Sequence, residues 1–205
     1  MISLEQELKQ YFADNTIEYT DNSSEFKLLD FTLLNFIKEE KNTTKNHRNF
    51  YLEVKEKRQN YNTKNWSIIS SEEEVHKFIM DELSARKILA YAPFSGLVVR
   101  NNITIKYYWF SILDMFLMPK IRVNRPIQKN ETISYKGKWI MDFRNGVECV
   151  SLEMVFKQII HHLQNRITNY TNTNECYGTY VNEIIEGQGI TRNANHWDID
   201  VKETR

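Results

Sequence analysis

Residues 49–57 read N-F-Y-L-E-V-K-E-K, and no other segment limits the possible folds so tightly. Phe50, Leu52 and Val54 fall on one side of an extended chain, with Tyr51, Glu53 and Lys55 on the other, because successive strand side chains point to opposite faces. On a helix the same apolar residues would scatter around the axis, so the segment is a strand and needs neighbours. Residues 25–37, E-F-K-L-L-D-F-T-L-L-N-F-I, supply one. Phe26 and Leu28, then Phe31 and Leu33, alternate with one irregularity between them, which reads as a bulged strand. The polar turn at 42–46 joins the two segments into a β-hairpin.

The remaining pattern mixes helices and strands. Leu4, Leu8, Tyr11 and Phe12 are at helical spacing behind Ser3, a candidate N-cap, and 21–24 (D-N-S-S) breaks the chain. Ser71 and Glu74 form a capping box. It predicts a helix carrying Val75, Phe78 or Ile79, Leu83 and Ile88, ended by Pro93 and Gly96. Residues 96–99 and 103–111 read as strands. Met118-Pro119 is a break, Asn124-Arg125-Pro126 a loop, and 138–143 a further strand closed by Asn145-Gly146. Leu152, Val155, Phe156, Ile159, Ile160, Leu163 and Ile167 trace one face of a helix over 151–167 with Ser151 as N-cap. The plan is α/β (α+β): one domain over 1–170 with a mixed central sheet flanked by helices. A polar extension over 171–205 is expected to hold a short helix near 180–185 and a disordered end.

Composition excludes several classes. With 205 residues, 41% of them hydrophobic, the chain can bury a core, and six Gly and three Pro leave no linker or collagen-like character. Cys149 and Cys176 are the two cysteines, and no C-x-x-C pair exists, so a disulfide scaffold or Cys-type zinc site is not expected. Neither a secretory leader nor a membrane-spanning run is evident, and a cytoplasmic protein with no membrane partner is expected. The 27 basic and 27 acidic residues cancel overall but not locally. Residues 1–30 sum to −5, 38–64 to +4, 72–82 to −4, 100–144 to +6 and 175–205 to −3. Such segregation either makes one-sided fields or builds separately solvated faces.

Glu53 and Lys55 share one face of their strand, and Asp30 lies 23 residues upstream on the neighbouring segment. Two converging carboxylates make a hard-oxygen site of the kind Mg²⁺ takes, with the Val54 carbonyl as a further ligand. Lys55 beside them could position or deprotonate an attacking water, or stabilise a phosphate in flight. The alternative reading is a cross-strand ion pair on an exposed face, worth under roughly 1 kcal/mol.

Leu29-Asp30 followed by Glu53-Val54-Lys55 resembles the PD-(D/E)xK nuclease superfamily, which includes many type II restriction endonucleases and DNA repair nucleases. The order helix, Asp-bearing strand, ExK-bearing strand, helix is similar to the core of that family, and the likeness covers about residues 1–100. Leu29 stands where the family has proline. The resemblance implies a restriction-endonuclease-like fold, with Asp30 and Glu53 as ligands of Mg²⁺, for which Mn²⁺ is expected to substitute, and Lys55 as the catalytic lysine. Glu5 or Glu7 on the first helix would be the accessory acid, and Glu25 or Asp21 would replace Asp30 under a different strand register. It also implies cleavage of double-stranded DNA by a sequence-specific homodimer, with a cognate DNA methyltransferase as a partner. A structure-specific repair or recombination nuclease, or a non-catalytic DNA-binding module, are the alternatives.

Basic residues that suit a polyanion are Lys57, Arg58 and Lys64, interleaved with Tyr61 and Trp66, and Arg122, Arg125, Lys129, Lys136, Lys138 and Arg144. Arg122, Arg125 or Arg144 in loops could read guanine edges. His161-His162 point about 100° apart on a helix and share no metal. Gly187-Gln188-Gly189 lacks the dinucleotide fingerprint, and no P-loop or G-x-S-x-G elbow is present.

Overall fold

The computed structural model describes residues 2–41, 44–62, 64–129, 132–163, 190–192 and 197–199. Helix α1 (Leu4–Asp14) opens with a capping box: Ser3 Oγ accepts from the Gln6 N–H, and the Gln6 side chain accepts from the Ser3 N–H. Strands β1 (Tyr19–Asp21), β2 (Phe31–Lys41) and β3 (Thr44–Lys57) follow as an antiparallel set. Next come β4 (Lys77–Asp81), α2 (Glu82–Ala90), β5 (Ser95–Asn101), β6 (Lys106–Ser111) and α3 (Ile112–Leu117). Strands β7 (Ile121–Lys129), β8 (Thr132–Asp142) and β9 (Val147–Cys149) and helix α4 (Leu152–His162) complete the main body. Strands β10 (Ile190–Arg192) and β11 (Trp197–Ile199) pair antiparallel with each other.

The main sheet runs β1-β2-β3-β5-β6-β9, with β3 and β5 parallel and the other pairs antiparallel. It is the mixed central sheet the sequence suggests, with helices on both faces. Leu4, Leu8 and Phe12 of α1 and Val155, Phe156 and Ile159 of α4 cover one face, over Leu33, Phe50, Leu52, Val54, Val98 and Trp109. On the other face Ala85, Ile88 and Leu89 of α2 and Leu113 of α3 pack on Leu97, Val99 and Phe110. A second sheet, β4-β8-β7, adds Phe78, Met80, Trp139 and Met141 to that core. Strand β5 is buried along its whole length, and a Cβ on Gly96 would lie 2.1 Å from the Trp109 ring, so only glycine lets the indole cross there.

Several elements differ from the sequence reading. The hairpin forms, but residues 25–30 are turn rather than strand: Glu25 and Leu28 donate N–H groups to the carbonyls of Asn22 and Glu25. Phe26 is 75% exposed. The irregularity lies later, between Leu33 and Ile37, where Asn35 takes φ 50° and donates its N–H to Asn49 Oδ1. The helix expected from Ser71 onward is divided. Residues 74–76 are one 3₁₀ turn, and 77–81 extend because Phe78 and Met80 alternate into the core opposite Met141 and Trp139. Helical propensity here yields to cross-strand packing. Residues 124–126 are strand, not loop; β7 pairs with β8 alone, so Pro126 sits on an edge, where a missing N–H does no harm. Helix α3 was not anticipated, although its capping box, Ser111 with Asp114, is visible in the sequence. In α4 the Ile160 side chain points outward, 42% exposed. The helix expected near 180–185 and Ile167 lie outside the described residues.

Gly96→Ala is expected to lower stability by about 1–3 kcal/mol through overpacking against Trp109, read as a shift in the urea midpoint with an unchanged slope.

Candidate active site

Strand β3 has different neighbours on its two edges. Tyr51 donates its N–H to the Phe94 carbonyl and Asn102 donates to the Lys57 carbonyl, so the odd-numbered backbone groups face β5. The even-numbered groups face β2, whose pairing ends at Phe31 opposite Leu52. Beyond that point the edge has no strand beside it, and Asp30 occupies the position. It lies one residue before β2, and its Oδ2 accepts the Val54 N–H at 2.9 Å. The Val54 carbonyl shares this edge, because N–H and C=O of one extended residue point to the same neighbour.

Glu53 and Lys55 project from the opposite face to Leu52 and Val54, into the layer covered by α2. Glu53 is 0% exposed. Neither of its oxygens accepts a well-aligned hydrogen bond; their neighbours are ammonium groups. Lys55 Nζ stands 2.6 Å from Oε1 and Lys87 Nζ, from α2, 3.7 Å from Oε2. Lys55 also reaches to 3.8 Å of Asp30 Oδ2. Lys87 donates to the Leu28 carbonyl at 2.7 Å, which ties α2 to the turn that carries Asp30. Burial, followed by the Glu53 charge, raises the Asp30 carboxyl above its usual range, against the pull of Lys55 and the Val54 N–H. Burial alone would lower Lys55, but the charges of Glu53 and Asp30 outweigh it and hold the ammonium above its ordinary value.

Asp30, Glu53, Lys55 and the Val54 backbone are therefore brought together. Asp21 is not with them: it pairs with Lys9 at 2.5 Å, and hydrogen bonds from Lys9 and Ser23 hold its carboxyl down at about 2. Glu25 sits in the turn before Asp30, exposed. Helix α1 packs on the far face of the sheet, so neither Glu5 nor Glu7 joins the cluster from there. Glu7 takes Arg100 at 2.5 Å and accepts from the Tyr107 hydroxyl. Burial, then Glu7, pushes Tyr107 up to about 12. Lys87 was not anticipated. Nothing in its spacing signals the role, which exists only because α2 crosses β3.

The basic residues are arranged differently from a one-sided field. Lys57 is fully buried, its ammonium 2.7 Å from Glu74 Oε1 and bonded to the Glu74 carbonyl at 2.7 Å. Arg58 pairs with Glu56 at 2.8 Å. Arg122 pairs with Glu82 at 3.0 Å, Arg144 with Glu73 at 2.5 Å and Asp142 at 2.7 Å, and Lys138 with Asp81. Four acids of the 72–82 block thus each take a cation from the two basic blocks. Arg125 donates to the Asn65 carbonyl and lies 4.2 Å over Trp66, while Tyr61 accepts from the Ile79 N–H. Lys64 is exposed, and the Lys129 side chain lies outside the described residues.

Among the described residues no three His, Cys, Asp or Glu side chains converge on one point as a metal cage would require. Asp30 and Glu53 make a two-carboxylate set. That suits Mg²⁺, which binds through one or two carboxylates and keeps waters and substrate phosphates as its other ligands. The buried oxygens of Glu53, lacking aligned donors, fit the same ion. No helix among the described residues is long and apolar enough to cross a membrane.

Asp142 gives the pairing a measurable signature. Its burial would raise the carboxyl, but hydrogen bonds from Arg144 and Lys77 outweigh it and hold the group well below the ordinary range. Because the folded value is depressed, the stabilisation is present above the unfolded carboxylate value and lost as pH falls toward the folded one. Asp142→Asn is therefore expected to cost about 1–3 kcal/mol at pH 7, with the gap to wild type closing below about pH 4 in denaturant titrations. Searches against protein-family models, curated proteins and solved structures gave no significant match to this chain.

Proposed function

We propose that this chain is a Mg²⁺-dependent endonuclease that hydrolyses DNA phosphodiester bonds. The observation that carries the reading is Glu53: a carboxylate with no exposed surface, on a central strand, without an aligned donor, flanked by Asp30 and Lys55. A surface ion pair would not be buried in this way, since burying an anion costs several kcal/mol unless something is gained. The helix, Asp-bearing segment, ExK strand and helix stand in the order that the PD-(D/E)xK likeness calls for. Asp30 and Glu53, with the Val54 carbonyl, would hold the metal, which when bound activates water and neutralises charge on the phosphate. Lys55 is a cation at neutral pH. It would orient the attacking water and stabilise the pentavalent phosphate rather than take a proton. The covering helix α2 restricts water on this side, which strengthens each of those contacts.

Two finer readings follow. A type II restriction enzyme is the reading that the PD-(D/E)xK likeness suggests; as a C2 homodimer it would match a palindromic site, with a methyltransferase protecting that site. A structure-specific nuclease is favoured by the ion pairs at Arg122 and Arg144, which engage acids instead of extending as loop-borne base readers.

Wild-type protein is expected to cut supercoiled DNA with Mg²⁺ and not with EDTA. Lys55→Ala is expected to lower the rate by about 100-fold or more, and Asp30→Asn similarly, with circular dichroism confirming that both fold. Tight DNA binding in EDTA with no cleavage of any substrate would favour the non-catalytic binding module instead.

A further inference from the structure

Beside the carboxylate cluster lies an open cleft of about 380 Å³ between the start of α2, the β7–β8 ribbon and the turn that precedes Asp30. Lys87 belongs to both: it lines the cleft and stands 3.7 Å from Glu53. Two kinds of group line it. Phe26 and Leu83, 75% and 45% exposed, are the large apolar side chains of the lining. Arg86, Lys87, Arg122 and Lys136 outnumber the two acids in the lining, Asp81 and Glu82. Glu82 is shared by Arg86 at 3.3 Å and Arg122 at 3.0 Å, and Asp81 is taken by Lys138. The lining thus carries an excess of positive charge, and each guanidinium has five N–H donors, more than the one bond to Glu82 uses.

The exposure of Phe26 is held in place, not left loose. Its turn is fastened by the Asn22 N–H on the Asp30 carbonyl at 2.8 Å, by Asn22 Nδ2 on the Leu29 carbonyl at 3.2 Å, and by Lys87 on the Leu28 carbonyl. Glu82 is held by Arg86 and Arg122 and lies directly over Gly137, where a Cβ would meet its Oε2 at 1.7 Å. An exposed aromatic ring on a fastened turn, in one cleft with several cations, is the chemistry that holds a nucleotide by stacking its base and pairing its phosphate. The volume is near the lower end of ligand pockets, which start at about 300 Å³, and it suits one nucleotide rather than a stacked base pair.

We infer that this cleft binds one unpaired nucleotide of the DNA substrate, its base against Phe26 and its phosphate toward Arg122, Lys136 and Lys87, next to the scissile bond. The inference rests on the nuclease reading and deepens it, since it makes an unpaired or extruded base part of the substrate. Stacking on aromatics tolerates any base, so the preference would be for structure more than sequence.

The test is fluorescence anisotropy of the full-length protein in Ca²⁺, which supports binding without asking for turnover, on a labelled fork and on a fully paired duplex of equal length. Wild type is expected to bind the fork at least tenfold more tightly. Phe26→Ala and Phe26→Leu are expected to weaken fork binding about 5- to 20-fold, and Phe26→Trp to retain it, which separates stacking from mere bulk. Equal affinity for fork and duplex, or Phe26→Leu indistinguishable from wild type, would overturn the proposal. Mg²⁺-dependent cutting of plasmid by the wild type is read in parallel. If cutting occurs and the fork preference does not, the cleft assignment alone fails; if neither occurs, the nuclease reading fails with it.

Discussion

A buried carboxylate on the central strand is what the surrounding structure has to accommodate. Glu53 has no exposed surface and no aligned hydrogen-bond donor. The idealised cost of removing such an ion from water exceeds the whole stability of a typical domain, and the effective cost is still several kcal/mol. Lys55 on the same strand face and Lys87 from α2 offset it electrostatically. The placement of α2 follows: the helix must bury Ala85, Ile88 and Leu89 on one side and deliver an ammonium to the strand on the other. The start of β2 follows as well. By beginning only at Phe31 it leaves the β3 edge open for the Asp30 side chain, which satisfies the Val54 N–H that a longer β2 would otherwise have taken.

The second organising element is a charge zipper. The acidic block at 72–82 lies along the second sheet because β4 pairs with β8, placing Asp81 opposite Lys138 and Lys77 opposite Asp142. Glu73, Glu74 and Glu82 extend the same pairing to Arg144, Lys57 and Arg122. Most of these pairs are at least partly shielded from water, so they fix register and helix position more than an exposed pair could. They also remove most of the positive field that the sequence suggested. Arg86, Lys87, Arg122 and Lys136 line the cleft that adjoins Glu53.

These two features bear on function in opposite ways. Carboxylates held without full hydrogen bonding are unfavourable for stability and suited to an added cation, the usual compromise of an active site. The zipper stabilises the scaffold and limits which cations remain open to an anionic ligand. Lys57 illustrates the division. It continues the Glu53–Lys55 face of β3 by one more step, yet it is sealed under Tyr61 and Phe143 with Glu74 as its partner.

The alternation over 49–57 by itself determined β3, the shared face of Glu53 and Lys55, and the opposite, core-facing direction of Leu52 and Val54. Those follow from the period of two in a strand, which is local. The capped helices α1 and α4 were legible for the same reason, their apolar spacing being local to the chain. Three things were not. Residues 77–81 became strand because β8, some 60 residues away in sequence, offered a partner for Phe78 and Met80. Glu7 was drawn to the far face by Arg100 and Tyr107, since only the side on which α1 packs decides which acids can meet. Lys87 reached Glu53, and the basic blocks found their acids, through contacts between elements distant in sequence. Local periodicity specifies which way a side chain points from its own element; which charge it meets there depends on long-range packing, and only the tertiary structure decided that.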